Sequence, residues 1–369
     1  MLGSPSRRAA RCCSGVLKLK TNISVVGARP QFVKAAAVTR AILRSGLFED
    51  RILHTGQHFD DNMSGVFFRE LEIPEPTFKL QISGGGHGQM TGRMLEGIEQ
   101  ILMRERPDSV TVYGDTNSTL AGALAAVKLG IPVVHIEAGL RSFNMRMPEE
   151  INRILTDRIS SLLLAPTSAA IEHLAAEGLT AGAMHVGDVM FDATLFARRK
   201  AETCSTILQD LELRPDGFLL ATVHRAENTA DEGSLRRVMA YLERAAASQP
   251  VILPVHPRTR ALISAHDIRP KGIRLIDPVG YFDMHALLAG AAAVYTDSGG
   301  LQKEAYFHRK PCVTLRDETE WTETITHGWN RLWTTDTYAP RSDIGEYGHG
   351  HAAEAVVAAI ADFMSGRSR

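Results

Sequence analysis

The chain predicts an α/β fold of two domains whose parallel sheets face each other across a cleft. Three observations carry this expectation. Short β-rich apolar runs alternate with helical patterns from about residue 21 onward, as right-handed βαβ units and parallel sheets require. The 369 residues suffice for two domains of ordinary size. Nearly every expected strand also ends on a charged or hydrogen-bonding side chain beside a glycine or proline, and open parallel sheets bind their ligands at those ends.

In chain order, strands are expected at 23–26, 51–54, 110–113, 133–136 and 162–165, then at 217–223, 251–255, 273–276, 292–296 and 312–315. Most are short runs rich in Val, Ile and Leu, bounded by turn residues. Helices are expected at 30–45, 117–129, 148–159, 233–247 and 284–288, with a long polar helix around 194–211. Pro30 and Pro148 stand where proline suits a helix start. The run Gly84-Gly85-Gly86-His87-Gly88 follows no convincing strand and reads as a flexible loop. Residues 1–20 carry Arg7, Arg8, Arg11, Lys18 and Lys20 and no acid. They lack the long apolar stretch of a secretory signal and read as a disordered basic extension. The layout is then a first domain over 21–188 and a second over 189–350. A last helix, 351–363 within the segment 351–369, is free to pack on either half.

Composition narrows the function. The net charge of −1 suggests no nucleic-acid partner, so any anion site must be local. No apolar run approaches the ~20 residues of a membrane-spanning helix. Cys12, Cys13, Cys204 and Cys312 show neither metal-site spacing nor a disulfide framework, which points to a reducing cytoplasm. No G-x-G-x-x-G opens the first helix and no Walker A motif occurs. No His, Cys or Asp spacing demands a metal. No cofactor is expected.

The candidate chemistry lies at the strand ends. Asp297-Ser298-Gly299-Gly300 reads as strand, tight turn and helix, with Ser298 as N-cap. Gly299 and Gly300 leave bare backbone N–H groups at the positive end of a helix, either a plain capped terminus or a phosphate site. Asp115, Glu137 and Glu149 are the acids of interest. Asp115 reads equally as an N-cap, and Glu149 as dipole compensation plus a surface pair with Arg153, four residues on. Glu137, between an apolar strand and Ala138-Gly139, has little structural reason to be there. Acids crowded in a cleft can have separated proton affinities and so serve as acid and base. His224 ends a strand of the second half, as His256 does with less support. Arg29, between Gly27 and Pro30, is expected to point into the cleft, with Lys34 on the helix behind it.

These residues are familiar together. Val26-Gly27-Ala28-Arg29-Pro30, Gly114-Asp115-Thr116, His135-Ile136-Glu137-Ala138-Gly139-Leu140-Arg141, Pro148-Glu149-Glu150-Ile151-Asn152-Arg153, Val223-His224-Arg225 and Thr296 to Glu304 occur in this order. The chain resembles the non-hydrolysing UDP-N-acetylglucosamine 2-epimerases over nearly its full length after residue 20. The resemblance implies Rossmann-like domains in the glycosyltransferase-B arrangement, a homodimer, a UDP-sugar substrate, and neither nicotinamide nor metal. It implies interconversion of UDP-GlcNAc and UDP-ManNAc by anti-elimination of UDP, a 2-acetamidoglucal intermediate and re-addition, with the same reaction on UDP-2,3-diacetamido-2,3-dideoxyglucuronate as the alternative. In matching positions, Asp115, Glu137, Glu149 and His224 would be catalytic. Arg29, Ser298, Gly299 and Gly300 would bind phosphate, Glu304 the ribose hydroxyls, and Lys34 and Arg153 would support the site.

Some segments depart from the simple members. Trp321 follows Thr319-Glu320 where arginine is usual, and 83–93 and 142–147 also differ. These resemble the branch acting on UDP-2,3-diacetamido-2,3-dideoxyglucuronate, whose carboxylate would need a cation such as Arg146 or Arg316. Gln57, His58 and Arg93 match an activator site, although Asp60 replaces a common glutamine. A glycosyltransferase of the same architecture, a hydrolysing epimerase and a non-catalytic sensor are the rival readings.

Overall fold

The structure, a computed structural model, describes residues 19–57, 68 and 70–366. Residues 1–18 of the expected extension, and His58 and Asp60 of the expected activator site, lie outside the described residues.

The first sheet contains β1 (Thr21–Val26), β2 (Glu49–His54), β3 (Phe78–Lys79), β4 (Ser109–Tyr113), β5 (Val133–Ile136), β6 (Leu162–Ala165) and β7 (Ala183–His185). Its order is β3-β2-β1-β4-β5-β6-β7, with every pair parallel. The second contains β8 (Leu219–Thr222), β9 (Val251–Pro254), β10 (Ile273–Ile276), β11 (Ala293–Thr296), β12 (Cys312–Thr314) and β13 (Asn330–Leu332). Its order is β10-β9-β8-β11-β12-β13, again parallel. Strand order reverses between β1 and β4 and between β8 and β11. Such switch points open crevices at the carboxyl ends of the strands. The loops from β4, β8 and β11 hold Asp115, His224 and Ser298, Arg29 opens the helix after β1, and the two crevices face one another in the glycosyltransferase-B arrangement.

Three strands escaped the sequence reading: β3, β7 and β13. Each has two or three residues, too few for a hydrophobic period to register. The glycine run is corrected too. Gly86 is the N-cap of a helix spanning His87–Glu105, so His87 and Gly88 are helical. Met94, Ile98, Ile101 and Leu102 bury its inner face at helical spacing. The expected helix around 194–211 begins earlier and breaks. Asp188 caps Val189–Cys204 by accepting from Met190 N at 2.8 Å, and the chain turns extended at Ser205 before the short helix Ile207–Asp210.

Each sheet has its own apolar core. A further cluster joins the halves, where Tyr281, Tyr306, Phe307 and Tyr347 meet Phe32, Val189 and Met190. The last helix, Ala352–Met364, belongs to this cluster. It packs on Arg29–Ser45, on Val189–Cys204 and on β6, returning the chain end to the first sheet.

Candidate functional site

The first wall of the cleft is built from the β1, β4 and β5 ends. A side chain on Gly27 would run into the hydroxyls of Ser118 and Thr55. Gln31 ties the β1 and β4 loops together, accepting from Gly27 N at 2.8 Å and donating to Tyr113 O at 2.9 Å. One turn later Lys34, itself buried, donates to Glu137. Glu137 is buried in a left-handed conformation, φ +72°. Its second oxygen accepts from Lys303 of the other half at 3.2 Å. Gly114 (φ +60°) leaves room for the pair, because a Cβ there would stand 3.1 Å from Glu137 Oε2. His135 braces the wall: Nε2 donates to Gly114 O at 2.8 Å, and Nδ1 lies 2.7 Å from Asp157 Oδ1.

Asp115 accepts from Arg153 Nη2 at 2.6 Å, and Arg153 Nη1 donates to Glu150 at 2.8 Å. Two expectations are thereby corrected. Arg153 pairs with Asp115 and Glu150 rather than with Glu149, because it turns inward from the helix Pro148–Ile159. The N-cap after β4 is Thr116, not Asp115. Glu149 is exposed and lines the cleft. The two recessed acids differ in proton affinity. Burial raises the Asp115 carboxyl above its ordinary pKa despite the pull of Arg153 and Lys34. Burial acts the same way on Glu137, but Lys34 and Lys303 outweigh it and hold that carboxyl well below the usual range.

The second wall is organised by Asp297, fully buried. It accepts from the backbone N–H groups of His224 (3.0 Å) and Arg225 (2.9 Å) and from Asn228 Nδ2 (3.0 Å). His224 Nδ1 also lies 3.0 Å from it, while the ring stays 55% exposed to the cleft. Ser298 caps the helix Gly299–Phe307 through a long 3.5 Å bond from Leu301 N. The Glu320 carboxylate, held by Arg316 at 2.9 Å, occupies the place a Gly299 side chain would take. On the same helix Lys303, 1% exposed, donates to Asp188 at 2.6 Å and sits 3.8 Å from the centre of the Trp321 ring.

Together the walls enclose a cavity of ≈ 360 Å³, within the range of small-molecule sites. Lys34, Asp115, Glu137, Glu149 and Arg153 line one side, and His224, Ser298, Gly299 and Gly300 the other. Arg29 and Glu304 stand apart from this lining, beside Tyr281 and His285. Burial raises the Glu304 carboxyl to about 7, opposed by the charges of Arg29 and Lys303. Arg316 lines an adjoining cavity of ≈ 200 Å³ with Arg141, Phe143 and His173. Arg146 is exposed on the 142–147 segment. Gln57 reaches the main cavity, where its Oε1 accepts from Ser118 Oγ at 2.7 Å. Arg93 folds back onto the carbonyls of Ser83 and Gly84. His256 caps the helix Pro257–Ala265.

Lys303, Arg225 and His87 also line the cavity and were not singled out from sequence. Arg225, beside His224, had a positional signal. Lys303 had none, since its role depends on Glu137 and Asp188 arriving from the other sheet.

The comparisons with known proteins agree with this geometry. The profile of the UDP-N-acetylglucosamine 2-epimerase family matches residues 40–361. The UDP-2,3-diacetamido-2,3-dideoxy-D-glucuronate 2-epimerase of Pseudomonas aeruginosa is 53% identical over 84% of this chain and 87% of its own length. A UDP-N-acetylglucosamine 2-epimerase homolog of Methanococcus maripaludis is 50% identical over the same shares. The crystal structure of the Methanocaldococcus jannaschii UDP-GlcNAc 2-epimerase in complex with UDP-GlcNAc and UDP superposes with a TM-score of 0.82. It is 38% identical and covers 93% of this chain and 99% of that one. Motif order, opposed sheet edges and likeness along almost the whole chain converge: the protein belongs to the UDP-N-acetylglucosamine 2-epimerase family, a family of carbohydrate isomerases.

Proposed function

We propose that the protein inverts C2 of a UDP-activated acetamido sugar without hydrolysing it. The observation that carries this reading is the single cavity bearing three acids on one wall and a helix N-terminus with His224 and Arg225 on the other. A base removes the C2 proton as the C1–O bond breaks and UDP departs, leaving an unsaturated sugar. UDP then adds back while a proton reaches the opposite face of C2. Asp115, with its raised proton affinity, and Glu137, kept ionised by two lysines, supply the divergent pair such chemistry needs. Glu149 is the third acid within reach. His224, Arg225, Ser298 and the Gly299-Gly300 backbone hold the diphosphate; beyond that lining, Arg29 serves the phosphate and Glu304 the ribose. The first half thus serves the sugar and the second UDP. Gln57 Oε1 is taken by Ser118 and the Arg93 guanidinium by its own loop, so those atoms are already engaged at the expected activator site.

For the sugar, we favour UDP-2,3-diacetamido-2,3-dideoxyglucuronate over UDP-N-acetylglucosamine. The 53% identity to an enzyme named for the former stands above the 50% to a homolog named for the latter. Arg316, beside the main cavity, offers a cation for the extra carboxylate. A homodimer in the cytoplasm completes the proposal; no helix of the described residues is long and apolar enough to cross a membrane.

The test is a side-by-side incubation with both UDP-sugars in heavy water, with no acceptor present. Deuterium at C2 of intact UDP-sugar, faster with the uronate, is expected. Asp115→Asn should stop exchange while UDP still binds. No exchange without an acceptor would indicate a transferase, and free sugar a hydrolysing enzyme.

A further inference from the structure

Trp321 is 5% exposed and lines the main cavity, yet its indole nitrogen is buried with no hydrogen-bond partner. An indole nitrogen can only donate, and a buried donor left unpaired is costly. The residue is not loosely placed. Its backbone N–H donates to Thr319 Oγ1 at 3.2 Å, and its carbonyl accepts from Thr324 Oγ1 at 2.7 Å. The ring lies on Lys303, whose ammonium is fixed by Asp188 and Glu137. A cation on the π face draws electron density from the ring and strengthens the N–H as a donor. The other two tryptophans satisfy theirs: Trp329 Nε1 donates to Ser342 O at 2.7 Å and Trp333 Nε1 to Asp317 at 2.8 Å.

The position of the free donor identifies its acceptor. Nε1 is 3.4 Å from where a Cβ would stand on Gly299, the first residue of the helix Gly299–Phe307. The Glu320 carboxylate stands at that point against the helix N-terminus, so the place suits an anionic oxygen, and a bound phosphate would take it from Glu320. Through Lys303 the same ring touches Glu137 on the acid/base wall. Trp321 therefore stands where the nucleotide meets the sugar. We propose that the Trp321 indole N–H donates to the β-phosphate of bound UDP, the group that carries the negative charge when the C1–O bond breaks. A donor fixed in advance at that oxygen stabilises the departing diphosphate. This rests on the reading of the cleft as a UDP site.

The experiment compares UDP and UMP titrations of the full chain at pH 8, in wild type and in Trp321→Phe, which keeps a ring over Lys303 and deletes the N–H. The variant should bind UDP about tenfold or more weakly, with UMP affinity unchanged. Equal losses for both ligands, or no loss for UDP, would overturn the proposal. A wild type that bound no UDP would instead refute the reading of the cleft. Should the variant not fold, wild-type protein labelled with ¹⁵N-tryptophan gives the answer. One of its three indole N–H resonances should shift with UDP and stay unmoved by UMP; three unmoved signals, or the same shift with both ligands, reject the assignment.

Discussion

Glu137 holds φ at +72°, a conformation that costs a non-glycine residue about 1–3 kcal/mol. Its backbone N–H bonds to Leu164 O at 3.0 Å and its carboxylate to two lysines, and these contacts fix it there. Glu137→Gln should cost about 3–5 kcal/mol, because it strips a buried Lys34 of its ion-pair partner; denaturant unfolding measures this, and a cost below about 1 kcal/mol would deny the buried pair its role. The sequence marked Glu137 as an acid without a structural reason, but it did not show the lysine that crosses from the other sheet. Glu304 makes a second prediction at this scale. Its carboxyl, raised from 4.5 to about 7, favours the protonated form in the free protein. Its contribution to stability is therefore fully present below about pH 4.5 and is lost as pH rises through 7. Ribose hydroxyls donating to it favour the charged form instead, so UDP affinity should rise as pH climbs through 7. Glu304→Gln should remove that rise; the terminal phosphate, which titrates near ~6, contributes equally to both proteins. Parallel pH titrations of both proteins decide it, and identical profiles would take Glu304 away from the nucleotide.

At the level of the element, what the sequence displayed was the strand ends. A parallel strand buried on both faces reads as a mostly apolar run, so a polar residue within two positions of its end stands out. Asp115, Glu137, His224 and Ser298 were found that way. What stayed hidden had no period or carried a misleading one. Two- and three-residue edge strands have no alternation to read. The helix His87–Glu105 was masked by the glycines before it, although Met94, Ile98 and Leu102 repeat every four residues. The helix Gly299–Phe307 was legible from its cap, and the cap is weaker than the motif suggests. A 3.5 Å bond from Leu301 N places the stability cost of Ser298→Ala near the low end of the ~0.5–2 kcal/mol range for caps. If the hydroxyl also binds phosphate, the variant should lose about 1–3 kcal/mol of UDP affinity. Calorimetric titration set beside thermal unfolding separates the two. A stability loss with undiminished UDP binding would reduce Ser298 to a cap.

Over the whole molecule, the last helix answers a question that periodicity leaves open. The helix Ala352–Met364 is apolar enough to cover either sheet, and nothing within it says which. The deciding features lie elsewhere. Arg44 pairs with Glu354 at 2.6 Å, and Asp192 accepts from the backbone N–H groups of Ala352 and Ala353 at 3.2 and 3.1 Å. Ala353, Val356, Val357 and Ile360 enter the cluster that holds Val38, Ile42, Leu164 and Val189. The chain thus leaves the second sheet and staples the first, and Val189–Cys204 packs between this helix and Tyr281–Gly290. Two sheets joined in this way can keep opposed rims in register while the cleft between them stays open to a ligand. Ile360→Ala removes a fully buried side chain and should cost about 2–5 kcal/mol. Hydrogen exchange locates the loss: amides of Arg29–Ser45, Leu162–Ala165 and Val189–Cys204 should exchange faster, while those of Val251–Pro254 on the far sheet keep their protection. Acceleration confined to the second sheet would mean that the last helix belongs to that half instead.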